Sequence, residues 1–258
     1  MKNKYDRSND LLGSCCGKMP VSIEKSPILE AIFEIRFEPN IPGDAVFGLV
    51  YNAFKEEFTK AVPLPILQFP EQLRSTDANL KFMPHYRMDK ENFIIQIGPN
   101  VFNLANTKPY CGWSNFSQKI EYCYGRLSKI GIMSNHISTA IRYINVFEES
   151  NIFEKMNMEI QLAGKVVGQE HIDFSTIIPH DNDKAKSRLK ITTFANIHLH
   201  DEKKDIIGSI IDIDTVFTMT DPSEFKESIQ YVHEEQKKLF FGSLKQDFIE
   251  SLSPKYEE

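Results

Sequence analysis

The chain has 258 residues, with 30 Lys and Arg against 36 Asp and Glu and a formal net charge of -6. Hydrophobic residues make up 41% and charged residues 26%, an ordinary globular balance that excludes general disorder and leaves no basic stripe for nucleic acid as the primary ligand. No run reaches the ~18 apolar residues of a membrane span, and the length suits one domain.

Residues 1–18 read as a disordered polar tail, with no apolar period and no secretory h-region. Leu12-Gly13-Ser14-Cys15 has the outline of a lipoprotein box, but no apolar run precedes it. The four cysteines, Cys15, Cys16, Cys111 and Cys123, show neither zinc-knuckle nor C-x-x-C spacing. They read as incidental thiols of a reduced, cytoplasmic protein.

Over residues 28–37, Ala31, Phe33, Ile35 and Phe37 alternate with Ile32, Glu34 and Arg36, which predicts a half-buried strand ended by Pro39. Asp44 is the expected N-cap of a helix whose apolar face carries Phe47, Val50, Tyr51, Phe54, Phe58 and Ala61. Prolines at 63, 65 and 70 predict an extended connection. Residues 80–88 and 93–97 predict paired strands, and 101–104 another. Trp113 opens a second helix with Phe116, Ile120, Cys123, Tyr124, Leu127 and Ile130 as its stripe and Gly131 just past its end. Residues 136–147 predict a long strand, with Ile141, Tyr143 and Asn145 on one face and Arg142, Ile144 and Val146 on the other.

Residues 158–162 predict a strand and 164–186 a loop. Residues 188–200 and 205–219 predict an antiparallel hairpin. Asp221, Pro222 and Glu224 stand as N-cap, N1 and N3 of a last helix. Its stripe holds Phe225, Ile229, Val232, Leu239 and Phe240 and continues through Leu244 and Phe248 towards Leu252, weakened at Gly242. The fold class is therefore α+β: antiparallel sheet in two halves of similar plan, 19–150 and 151–258, forming one domain or two sub-sheets with three principal helices.

Three groups of residues resemble a sporadically distributed prokaryotic family of uncharacterised proteins of about this length. They are Ser26-Pro27-Ile28-Leu29-Glu30-Ala31, Tyr110-Cys111-Gly112-Trp113 with Arg142-Tyr143-Ile144-Asn145, and Ile211-Asp212-Ile213-Asp214 followed by a helix with His233 and Phe240. The resemblance covers nearly everything from Ser26 onward. It implies a shared fold, no reaction, and a patchy distribution of the kind common among mobile or defence-related genes.

Asp212 and Asp214, two apart on one strand, project to the same side. They suit a divalent cation or acid–base work, but a sheet-face ion-pair cluster with Glu34, Arg36 and Arg142 is the commoner outcome. His198, His200 and Asp201 put two imidazoles near a turn carboxylate, with no third ligand fixed by spacing, so no metal or cofactor is expected. Tyr110 and Trp113 offer an aromatic platform at a helix start, weighed against a packing anchor whose indole N–H is capped by backbone. No phosphate loop or nucleophile elbow occurs. The leading expectation is a non-catalytic binding or regulatory component acting with a protein partner or a second copy through residues 240–252, where Phe240, Leu244 and Phe248 form an apolar face. The alternative is an enzyme using Asp212 and Asp214.

Overall fold

The computed structural model describes residues 19–167, 171–199 and 204–256. The expected tail, Cys15, Cys16, His200 and Asp201 lie outside the described residues.

Strand β1 (Ser22–Ile23) leads into β2 (Ile28–Pro39) and helix α1 (Gly43–Phe54). Then come β3 (Lys60–Pro63), the short α2 (Glu71–Thr76), β4 (Tyr86–Lys90), β5 (Phe93–Gly98) and β6 (Val101–Thr107). Helix α3 (Trp113–Ile130) and the long β7 (Met133–Phe147) complete the first half. The second half holds a small hairpin of β8 (Ile160–Leu162) and β9 (Lys165–Val167), then β10 (Asp173–Pro179), β11 (Ala185–Leu199) and β12 (Lys204–Thr218). Helices α4 (Phe225–Ser243) and α5 (Gln246–Ser251) and strand β13 (Pro254–Lys255) end it.

Nine strands form one antiparallel sheet in the order β10-β11-β12-β7-β2-β6-β5-β4-β3. The α+β class is as expected. Two separate sub-sheets are not formed, because β7 pairs along β12 from Phe147↔Ser209 to Ser138↔Thr218 and joins the halves. The alternation in β2 sorts its side chains: Ala31, Phe33, Ile35 and Phe37 are fully buried beneath α1, α3 and the start of α4. Burying four such side chains is worth about 1.5–3 kcal/mol for each large one.

A second core lies under the other end of the sheet, where Leu239, Phe240, Leu244, Phe248 and Ile249 pack on Phe147, Ile211 and Ile213. This corrects the expected partner surface. Helix α4 stops at Ser243, and Leu244 takes an extended conformation at φ -100 and ψ 146. The chain turns there, so the second apolar stripe reaches its own sheet. Phe240, Leu244 and Phe248 are thereby buried, Phe248 at 6% exposure.

Other departures are local. Asp44 lies in the first turn of α1 without capping it, since Pro42 is the N-cap and its carbonyl accepts from Ala45 N at 2.9 Å. Ala61 belongs to β3, not to the helix, and Pro65–Gln68 makes a 3-10 turn within the expected extended connection. The strand expected over 80–88 starts only at Tyr86. The expected loop over 164–186 contains β9 and β10, the latter an edge strand with alternating half-burial. Asp221 and Glu224 make the expected capping box, on a 3-10 turn over Pro222–Glu224 that leads into α4.

Candidate functional site

The sheet face away from the helices carries the charged residues singled out above, brought together as expected. Arg142 stands opposite Asp214 in register but bonds the diagonal Asp212, with Nε–Oδ1 at 2.8 Å and Nη2–Oδ2 at 2.6 Å. Arg36 Nε bonds Glu34 Oε1 at 2.7 Å along its own strand. Burial pushes the Glu34 and Asp214 carboxyls up, against the pull of Arg36 and Arg142 respectively. Both oxygens of Asp212 are held by one guanidinium, so the pair presents no open carboxylate couple to a cation. Among the described residues no group of three His, Cys, Asp or Glu is arranged for a metal.

A second constellation was missed from sequence. His180 Nδ1 lies 2.9 Å from Glu235 Oε2, and its Nε2 lies 2.7 Å from Ser187 Oγ. That is the connectivity of a Ser–His–Glu triad. Yet Ser187 is 0% exposed, and its hydroxyl also meets Thr215 Oγ1 at 2.6 Å. A nucleophile must reach a carbonyl carbon, and this one is sealed beneath α4. The three residues brace the β10–β11 hairpin to the helix. Burial lowers the His180 pKa although Glu235 raises it.

The third place is a cavity of about 230 Å³ between α3, α4 and the sheet, at the seam of the two cores. Tyr110 and Trp113, the expected aromatic platform, line it. Gly112, at φ 84, makes the turn that sets Trp113 at the head of α3; an L side chain is strained there. Asn106, fully buried, holds the approach by accepting from Cys111 N at 2.9 Å. The Trp113 indole stacks on the His233 imidazole, centroids 3.7 Å apart and 8° from parallel. The indole N–H makes no hydrogen bond among the described residues, so the expected backbone cap is not formed.

Behind the stack runs a chain of hydroxyls. Tyr143 Oη lies 3.2 Å from Tyr110 Oη and 3.1 Å from His233 Nδ1. Burial holds His233 neutral, with its pKa down to about 3, and pushes Tyr110 and Tyr143 up. Two amides share the wall. Gln236 Nε2 donates to the carbonyls of Ile141 and, at 3.0 Å, Ile213. Asn145 Nδ2 donates to Ile211 O at 3.1 Å. Each spends its N–H groups on the sheet, which leaves its oxygen over. Gln236 is 1% exposed, and its Oε1 has no partner among the described residues.

One side of the cavity is formed by a strap. Strand β1 pairs with β13, and flanking bonds run from Val21 N to Lys255 O at 2.7 Å and from Glu24 N to Ser253 O at 3.0 Å. Residues Val21, Ser22, Ile23 and Glu24 of this strap line the cavity, as does Lys237. Asn145, His233 and Gln236 were not chosen as site residues from sequence. The available signal was polar residues set into apolar stripes, Asn145 in β7 and both His233 and Gln236 in α4.

No protein-family model matches this chain, and no curated protein matches it.

Proposed function

We propose that this chain is a non-catalytic binding component whose ligand is a small molecule held in the cavity beneath the β1–β13 strap. One observation carries the reading: a cavity of about 230 Å³ walled by Tyr110 and the Trp113–His233 stack, with a few fixed polar side chains in its lining. Apolar walls with a few fixed polar atoms are the ordinary composition of a small-molecule site.

The protein partner expected from sequence loses its candidate surface, since Phe240, Leu244 and Phe248 lie in the core. The alternative enzyme on Asp212 and Asp214 is not favoured, because Arg142 clasps Asp212.

Trp113, the single tryptophan, gives the test. A fragment screen is read by Trp113 emission in the wild type and in Ser22→Phe, which puts a ring at the mouth. The reading expects ligands that shift emission in the wild type and fail in the variant. A screen without any such ligand contradicts it.

A further inference from the structure

We infer that the open edge of the sheet at β10 is the interface of a two-fold dimer, in which β10 pairs antiparallel with β10 of a second copy about Thr176. Strand β10 ends the nine-strand order and pairs with β11 alone. Its register, from Asp173↔Thr192 to Pro179↔Lys186, continues the bond from Thr193 N to Ile172 O at 2.9 Å. Backbone direction alternates along a strand, so Phe174, Thr176 and Ile178 spend their N–H and C=O groups on β11. Those of Asp173, Ser175, Ile177 and Pro179 point outward, with no backbone partner among the described residues. Pro179 stands where its missing N–H costs β11 no bond.

The two edges of the sheet are not alike. Natural proteins block an unpaired edge with a short strand, a lysine or a proline. At the far edge β3 has four residues and carries Lys60 and Pro63. Strand β10 has seven residues, and from Phe174 to Ile178 it holds no charge, no proline and no bulge. Ile177 stands 58% exposed on it. One open edge per chain closes about a two-fold axis and does not propagate into a fibre.

The strand is complementary to itself, which names the occupant. With Thr176 on the axis, Ser175 meets Ile177 of the second copy, and Asp173 meets its Pro179. Every outward N–H then faces a carbonyl, and no like charges stand opposite each other. Asp173 keeps its own Lys190, 3.3 Å away. On the helix side Phe174 meets Ile178 of the second copy, and the two threonines meet on the axis. Aromatic–β-branched and Thr–Thr pairs are favourable cross-strand neighbours. Phe174 and Ile178 already pack on the second core, so the pairing extends that core across the axis. An axis at Ser175 is a poorer match, because it sets Asp173 against Ile177 and Phe174 against Thr176.

The test is sedimentation equilibrium of the full chain, and it does not depend on the cavity. The wild type should show twice the chain mass and dissociate on dilution. Ile177→Lys changes a side chain that is already exposed. Ser175→Pro removes an outward N–H and none that bonds β11. Both should be monomers with the circular dichroism of the wild type, whereas Val62→Lys on the β3 edge should stay dimeric. Opposed residues on the axis lie ~4.5–5.5 Å apart between Cβ atoms. Thr176→Cys should therefore form a disulfide-linked dimer on mild oxidation, beyond any that the wild type forms, and Ser175→Cys should not. A monomeric wild type overturns the inference, as does a dimer that persists in Ile177→Lys. Cross-linking through Ser175→Cys and not through Thr176→Cys overturns the pairing about Thr176. Should Ser175→Pro fail to fold, Ile177→Lys and the cysteine comparison decide.

Discussion

Trp113 lies flat on His233, one residue from the head of α3 and the other from the middle of α4, with 3.7 Å between ring centroids. This contact joins the two helices across the seam between the cores, and burial keeps its imidazole uncharged. A protonated imidazole quenches a stacked indole. Burial takes the His233 pKa down to about 3, so Trp113 emission should stay level from pH 8 to pH 5. A quenching step centred near the ordinary histidine value of about 6.5 would contradict this arrangement.

The same residue contributes to acid lability. His233, and His85 with its pKa lowered to about 4, are neutral in the fold. The unfolded chain takes up these protons near pH 6.5. Stability from these groups is therefore complete above about pH 6.5, and it falls as pH drops towards the two folded values. Urea midpoints measured from pH 7 to pH 4 should decline, and His233→Gln should flatten the decline. A variant with an unchanged slope would show that His233 is not a source of it.

Asp214 should behave in the opposite sense. Burial raises its carboxyl, and Asp212 adds to the rise. A carboxyl raised in the fold costs stability while it is ionised, and the cost fades as pH falls through its folded pKa. Asp214→Asn should thus be as stable as the wild type or more so at pH 7, with the advantage shrinking at pH 4. A clear loss at pH 7 in urea melts would mean that Asp214 makes a net favourable pair.

Ser187 has triad geometry without access. Ser187→Ala should cost about 1–3 kcal/mol, since it strands His180 Nε2 and Thr215 Oγ1 in the core. A fluorophosphonate probe should leave Ser187 unlabelled. Labelling at this position by mass spectrometry would show that α4 opens over it and that the hydrolase geometry is used.

Phe248 tests the corrected end of the fold. It packs against Phe147 at 5.6 Å between ring centroids. Phe248→Ala should cost about 3–5 kcal/mol, and Phe248→Asp should not fold. A well-folded Phe248→Asp protein would return the residue to the surface.

What was legible in sequence followed from uninterrupted periodicity. Phe33 and Ile35 alternate without exception, the stripe of α3 runs from Phe116 to Leu127, and Gly131 takes the left-handed cap at φ 72. The charged cluster around Arg142 was legible for the same reason, since strand alternation sends those residues to one face. What was missed depended on distant segments. The break at Leu244 is made by the bridge from Met156 to Leu244 and by Lys245 N bonding Lys155 O at 2.8 Å, neither visible in the local pattern. Strand β10 pairs on one side only, so Ile177 stays 58% exposed and no clean alternation marks it. Tyr110 and Trp113 were recognisable as aromatic candidates. Their polar partners Asn145, His233 and Gln236 meet only when α4 crosses β7 and β12.

Native mass spectrometry of the protein, isolated without denaturation from cells that express it naturally, tests the central claim most directly. The account expects the wild type to carry one small molecule per chain, released on unfolding, and Ser22→Phe to carry none. A wild type that flies at its bare mass, identical in occupancy to Ser22→Phe, would contradict a ligand in the cavity beneath the strap.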